Sequence, residues 1–208
     1  MLSPSVEKLI KIFAKFPTVG PKTASRFAFY LMEDSKEEVE NLIQAIEDLK
    51  KKIKVCPWCF RAFENETSEL CSICENPKRE KTQVCIVEKE IDLETIEKTG
   101  AYKGLYFILG GVLPILKKEN AEKVLNERLN ALIERIQGKA AFAEATAPKE
   151  LILALNPTLE GQNTVLWLKR RLEPLGVKIT QLAKGMPQGG ELEYADEETI
   201  ASALQGRN

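Results

Sequence analysis

Four of the five cysteines fall inside nineteen residues as two identical pairs, Cys56-x2-Cys59 and Cys71-x2-Cys74, separated by eleven residues. A CxxC turn sets two thiolates on one side of a tight loop, and two such turns facing each other complete a tetrahedral, all-thiolate site for zinc. Because every corner is a thiolate, none is left open for water or substrate, and the site is structural. Metal binding then supplies folding energy to a segment too short to bury a core of its own. A disulfide pair or a redox CxxC could share this spacing, but paired knuckles fit a zinc ribbon better than a redox motif. The intervening loop is shorter than in many ribbons, which implies a compact knuckle.

A chain of 208 residues, 44% hydrophobic and 29% charged, suits a soluble globular protein with one main domain and a small accessory module. No apolar run approaches the ~20 residues of a membrane span. The N-terminal MLSPSVEKLIKIF is amphipathic and lacks the apolar region and cleavage site of a signal peptide. Reduced, metal-binding thiolates fit a cytoplasmic setting. The fifth cysteine, Cys85, sits in the apolar run Val84-Cys85-Ile86-Val87 and reads as an inert core residue.

Histidine is absent. That removes the commonest general base and any Ser–His or Cys–His nucleophile pair. An enzyme built on this chain would have to use carboxylates, a metal, lysine or tyrosine. The net charge of −1 argues neither for nor against nucleic acid, but its distribution is uneven. Residues 1–30 carry Lys8, Lys11, Lys15, Lys22 and Arg26 against Glu7 alone, whereas residues 33–48 are strongly acidic. A basic N-terminal face is a local electrostatic footprint; a solvated helix face is the plain alternative.

Ser3 and Pro4 read as an N-cap and first helical position, after which Val6, Leu9, Ile10, Phe13 and Phe16 recur at helical spacing. Pro17-Thr18-Val19-Gly20-Pro21 breaks the pattern as a hairpin-like turn. A second helix carries Ala24, Phe27, Ala28 and Leu31 on one face. Ser35 and Glu38 form a capping box for a third helix with the stripe Val39, Leu42, Ile43, Ile46, Leu49 and Ile53. From residue 82 short apolar strands alternate with helices: strands at Val84–Val87, Leu105–Leu109, Leu151–Leu155 and Val177–Ala183, helices at 91–99, 119–136 and 162–172, and another near 197–204. This alternation predicts a mostly parallel sheet flanked by helices, with functional groups at the carboxyl ends of its strands. Flexibility is expected at Gly138–Lys149, around Pro187–Gly190 and in the last few residues.

Three constellations bear on chemistry. In the first, a glycine-containing hairpin, centred on Gly20, precedes a helix N-terminus and offers backbone N–H groups to a phosphate. Lys22 and Arg26, one turn apart, add charge on the same face. An ordinary helical turn is the alternative. In the second, Glu88 closes the first strand, as a metal-binding Toprim domain would show. A metal-dependent Toprim enzyme also needs an Asp-x-Asp pair closing a later strand, because Mg²⁺ wants several hard oxygen ligands. Here that place reads Asn156-Pro157-Thr158, and neither Glu160 nor Asp92 restores the pair. Glu88 could equally cap the next helix or pair with a lysine. In the third, the segment from Ala183 to Asp196 is rich in glycine but lacks the GxxxxGK[ST] order of a phosphate loop, and reads as a structural loop.

In this order, the pieces resemble the RecR family of bacterial recombination mediators over nearly the whole chain. The resemblance is carried by Val19-Gly20-Pro21-Lys22-Thr23-Ala24-Ser25-Arg26, the four cysteines, Val84 to Glu88, Tyr106-Phe107-Ile108-Leu109-Gly110-Gly111, Ala154 to Gly161, and Gly185 to Asp196. It implies an α/β protein of four parts: a helix-hairpin-helix DNA-binding region (1–53), a four-cysteine zinc finger (54–80), a Toprim domain (81–183) and a C-terminal segment (184–208). It further implies no enzymatic activity, a structural Zn²⁺ on Cys56, Cys59, Cys71 and Cys74, and dimers or ring-like tetramers able to encircle DNA. Lys22 and Arg26, with Gly20, would face sequence-independent DNA. Glu160, with Glu88, would lie toward RecO. With RecO, and in some pathways RecF, such a protein helps RecA replace single-strand-binding protein at gaps.

The chain departs from the family at several points. Thr18 stands where the hairpin usually has its first glycine, and Gln162 where glutamate often follows Glu160-Gly161. The usual Ser-Pro-Leu-Asp-Gly stretch after Pro114 is missing, and Lys117 to Gln137 reads as one continuous helix. Two other readings compete with the mediator. One is a Mg²⁺-dependent Toprim enzyme of nuclease or strand-passage type, which would need Glu88 and further acidic ligands. The other is a zinc-knuckle adaptor that touches proteins only.

Overall fold

The computed structural model describes residues 2–115, 119–139, 147–183, 185, 186, 189 and 191–206. It divides into two compact units, Met1–Ile53 and Lys54–Asn208.

The first unit is three helices: α1 (Pro4–Phe13), α2 (Pro21–Glu33) and α3 (Lys36–Lys52). Proline at the first helical position of α1 and α2 loses no hydrogen bond, because that N–H has no intrahelical partner. Ser3 occupies the N-cap position of α1, but its side chain makes no capping bond. α1 and α2 close on the small, buried side chains of Ala24 and Ala28. Phe13 meets Phe16 and Phe27 edge to face, with ring centroids 5.8 and 5.7 Å apart. At the start of α3, Ser35 Oγ accepts from the Glu38 amide at 3.2 Å. The capping box expected there is only half formed, because the Ser35 amide donates to Asp34 Oδ1 instead. Glu47–Lys51 and Asp48–Lys52 pairs brace the exposed surface of α3. Its apolar stripe, Leu42, Ile43, Ile46 and Leu49, is also exposed.

The second unit is built on a four-stranded sheet in the order β4-β3-β5-β6. Its strands are β3 (Glu80–Val87), β4 (Gly104–Ile108), β5 (Glu150–Ala154) and β6 (Lys178–Gln181), and all pairs are parallel. Helices α5 (Glu90–Lys98), α6 (Glu119–Ile136) and α7 (Leu159–Leu172) make the crossovers that parallel pairing requires. Ahead of the sheet lie a two-stranded ribbon, β1 (Ile53–Val55) with β2 (Ala62–Glu64), and the short α4 (Ser72–Glu75); α8 (Glu197–Gln205) closes the fold. Val84–Val87 and all of β4 are buried, as expected of strands covered on both faces.

β3 begins four residues earlier than its apolar run suggests. Its polar half is held by neighbours: Glu80 N donates to Lys103 O at 2.9 Å, and Lys149 N donates to Thr82 O at 2.8 Å. α6 spans the helix expected at 119–136, but residues 117 and 118, which begin the longer run from Lys117, lie outside the described residues. So does much of the expected flexible sequence, at 140–146, 187, 188 and 190.

Gly104 and Gly161 are glycine for want of room. A Cβ on Gly104 would sit 2.2 Å from Tyr102 Oη, and one on Gly161 would sit 1.9 Å from the Asn156 carbonyl oxygen.

Candidate functional site

The four cysteines converge. Their sulfurs lie within 4.8 Å of one another, all four residues are buried, and among the described residues no other cluster of His, Cys, Asp and Glu could hold an ion. The Cys59 and Cys71 sulfurs are 3.5 Å apart, and all five cysteines are free thiols. A tetrahedral ion with bonds of about 2.3 Å sets neighbouring sulfurs roughly 3.8 Å apart, so the spacing fits a metal. It does not fit a disulfide, whose sulfurs approach to about 2.05 Å.

Local backbone bonds shape the two turns. Cys56 N donates to Arg61 O at 2.8 Å and Phe60 N to Cys56 O at 2.9 Å, with Phe60 in the left-handed region at φ 62°. On the other side Cys71 is the N-cap of α4, and Glu75 N donates to Cys71 O. Sulfur hydrogen bonds from Cys59, then Cys71 and Cys74, hold the Cys56 thiol far below its ordinary value, while bonding to Cys56 and its neighbours pushes Cys74 far up. Thiolates packed this closely repel one another, and a divalent cation is the group that lets all four sulfurs be anionic together.

The knuckle is welded to the sheet rather than standing apart from it. Cys59 O accepts from Ile108 N at 2.9 Å. The Phe60 and Phe107 rings meet edge to face at 5.3 Å. Arg128 lies 4.7 Å from the Phe60 centroid and donates to Ile108 O at 2.7 Å. Arg61 pairs with Glu94, and with Glu90 at 3.6 Å, on α5. The cysteines, Trp58 and Ile73 belong to the same buried cluster as the strands. Nothing in the residue pattern around Arg128 marks it for this role.

At the carboxyl ends of β3 and β5, Glu88 is buried. Asn156 Nδ2 donates to its Oε2 at 2.8 Å, and Lys89 Nζ lies 2.8 Å from its Oε1. Burial, the largest influence on this carboxyl, raises its pKa; the Lys89 and Asn156 bonds outweigh that and hold it below the usual range. Asp92 is turned away, its carboxylate accepting the Lys89 amide at the start of α5. Thr158 caps α7 by accepting from Gly161 N. Glu160 lies with Glu88, Lys89 and Asn156 around an open cleft of about 640 Å³. Both oxygens of Glu88 are engaged by donors, and among the described residues no carboxylate cluster is assembled there.

In the first unit, Gly20 is the N-cap of α2 and carries no side chain to occupy the free amides of the first turn, which holds no acidic residue. Lys22 and Arg26 are exposed on α2, one turn apart. Thr18, where a glycine was expected, lies at φ 64°. The backbone thus keeps the left-handed shape of the hairpin despite the β-branched side chain. Val19 N donates to Phe16 O at 3.1 Å across the turn.

Comparison with known proteins follows this division. Residues 6–50 match the family model "RecR, helix-hairpin-helix", residues 82–183 the model "Toprim domain", and residues 185–208 the model "RecR, C-terminal". The chain is 43% identical to the recombination protein RecR of Chloroherpeton thalassium over 99% of its own length and 97% of the relative's. It is 42% identical to that of Chloroflexus aggregans over 100% and 95%, and 38% identical to that of Bifidobacterium longum subsp. infantis over 98% and 95%. No described helix is long and apolar enough to cross a membrane. With the hairpin, the cysteine cluster and the parallel sheet in one order along the chain, and full-length relatives of one name, this protein belongs to the RecR family of recombination proteins.

Proposed function

We propose that this protein is a non-enzymatic, DNA-binding mediator of recombinational repair. In this reading it acts in the cytoplasm with RecO, and in some pathways RecF, to help load RecA at single-stranded gaps. Residues 1–53 contact DNA, residues 54–80 hold a structural zinc ion on Cys56, Cys59, Cys71 and Cys74, and residues 81–183 with 184–208 serve protein contacts.

The observation that carries the reading is the hairpin. Gly20 leaves the α2 N-terminus uncapped by any side chain, and Lys22 and Arg26 stand exposed beside it. Such a surface binds phosphates without reading bases. One protomer offers few phosphate contacts, so affinity comes from several protomers on one DNA. The exposed stripe on α3 supports self-association into dimers or a tetrameric ring. Glu160 and Glu88, at the cleft beside β3 and β5, are the proposed contacts toward RecO. The engagement of Glu88 by Asn156 and Lys89 argues against a Mg²⁺-dependent nuclease.

The test is fluorescence anisotropy of labelled gapped DNA across a salt series, with and without RecO, comparing the wild type with a Lys22→Ala, Arg26→Ala double variant. The variant is expected to bind more weakly, with a log–log salt slope shallower by about 2 per protomer engaged. An unchanged slope overturns the phosphate assignment. No binding by the wild type in either condition favours a protein-only adaptor.

A further inference from the structure

Arg135, on α6, is the only buried cation among the described residues, at 2% exposure. Its guanidinium carbon lies 3.9 Å from the centroid of the Trp58 ring. Nη1 reaches the Trp58 carbonyl oxygen at 3.5 Å, a long bond, and Nε and Nη2 have no hydrogen-bond partner among the described residues. No carboxylate pairs with it among the described residues. A buried guanidinium without a carboxylate is costly, and Trp58 offers it only a cation–π contact and one long bond to its carbonyl oxygen. The other arginine near the knuckle, Arg61, is already matched by Glu94 and Glu90.

The missing negative charge is next door. Trp58 is one of the two residues between Cys56 and Cys59. A divalent ion held by four thiolates leaves a net charge of about −2, here in a buried site. The Arg135 guanidinium, stacked on the Trp58 ring and reaching its carbonyl oxygen, lies against the turn that carries two of those sulfurs. Each side thus carries a charge that is costly alone and that the other offsets.

We propose that Arg135 is the counter-charge of the tetrathiolate metal centre. It is a positioning residue that ties the Cys56–Cys59 turn to α6 and raises the affinity of the site for a thiophilic divalent cation. This rests on the metal-binding reading of the cysteines. Arg135 contributes in two ways: its plane stacks on Trp58, and its charge lowers the energy of the anionic cluster. The second contribution is absent from any side chain that merely fills the space.

The experiment is competition for Zn²⁺ between a chromophoric chelator and the full-length protein, for the wild type, Arg135→Met and Arg135→Lys, with near-ultraviolet circular dichroism confirming the fold of each. Methionine keeps the bulk over Trp58 without the charge, and lysine keeps the charge without the planar fork. The Met variant is expected to bind Zn²⁺ at least tenfold more weakly than wild type, and the Lys variant within about threefold, in the range by which such outer partners tune metal affinity. Equal affinity in the Met variant and wild type overturns the proposal while leaving the metal reading intact. Equal loss in the Met and Lys variants also overturns it, since packing and not charge would then be at work. Should the Met variant fail to fold, Arg135→Gln against Arg135→Lys makes the same comparison, and equal affinities there overturn the proposal. A wild type that takes up no Zn²⁺ removes the metal reading itself, and this inference with it.

Discussion

Asn156 reaches across the carboxyl ends of β5 and β3 to donate to Glu88, its amide nitrogen 2.8 Å from the carboxylate oxygen. The other oxygen is taken by Lys89. Asparagine thus stands where a second carboxylate would be needed to gather a hard cation, and it turns Glu88 from a free ligand into a structural anchor. Glu88→Gln keeps an acceptor for Asn156 but loses the ion pair, whereas Glu88→Ala leaves the Asn156 amide unmatched. We expect losses of about 1 and about 2 kcal/mol respectively in urea denaturation, with no Mg²⁺-dependent DNA cleavage by the wild type or either variant.

The same contacts predict a response to acid. The Glu88 carboxyl is held below its usual range. So is that of Glu97, where burial pulls upward but bonds from Arg79 and Tyr106 prevail. A carboxyl depressed in the folded state contributes stability that is fully present above its unfolded value, near pH 4.3, and lost as pH falls through the lower folded value. Urea midpoints should therefore decline below about pH 4.5, and the decline should be shallower in Glu88→Gln.

Thr18 holds a left-handed backbone and donates its hydroxyl to the Pro17 carbonyl at 2.6 Å. The conformation costs a non-glycine residue about 1–2 kcal/mol. Part of the gain from glycine is cancelled by its greater freedom in the unfolded chain. Thr18→Gly should stabilise the first unit by about 0.5–1 kcal/mol, read as slower amide exchange in α1 and α2. Its DNA affinity should stay within about twofold, because the amides offered at Gly20 do not move.

Gly161→Ala and Gly20→Ala make a contrasting pair. The first forces a methyl group to within 1.9 Å of the Asn156 carbonyl oxygen and must displace the first turn of α7. The second meets nothing within 4 Å. Expected losses in a denaturant titration are about 2–4 kcal/mol for Gly161→Ala and under about 1 kcal/mol for Gly20→Ala.

On the proposed metal-binding reading, removal of the ion should be felt well beyond the cysteines. Chelation at neutral pH is expected to lower the thermal midpoint by roughly 10 °C or more. Protease sites should open along the sheet as well as within residues 54–80, as mapped by limited digestion and mass spectrometry.

Much of this architecture was legible because its signals are strong and local. Val84–Val87, Leu105–Leu109 and Leu151–Leu155 stand out as apolar runs since parallel strands covered on both faces are apolar throughout, and each lies in or within one residue of an observed strand. The cysteine spacing announces its own convergence. What could not be read depends on partners far along the chain. The polar start of β3 is a strand only because Lys103 and Lys149 bond to it. Asp34 diverts the Ser35 amide from its expected box. Arg135 looks like any arginine on the polar side of a helix until Trp58, seventy-seven residues earlier, is laid beneath it.

The bond from Ile108 to Cys59 and the ring contact of Phe60 with Phe107 have a bearing on how this chain can be cut and recombined. A span delimited by its cysteines invites treatment as a cassette, portable between hosts. Here its inner wall is also a wall of the sheet, so excising it would leave β4 with an open flank and the cassette with no floor. Divergence at Phe60 or Phe107 must be answered at the other, and a crossover breakpoint placed near residue 80 would separate halves that no longer match.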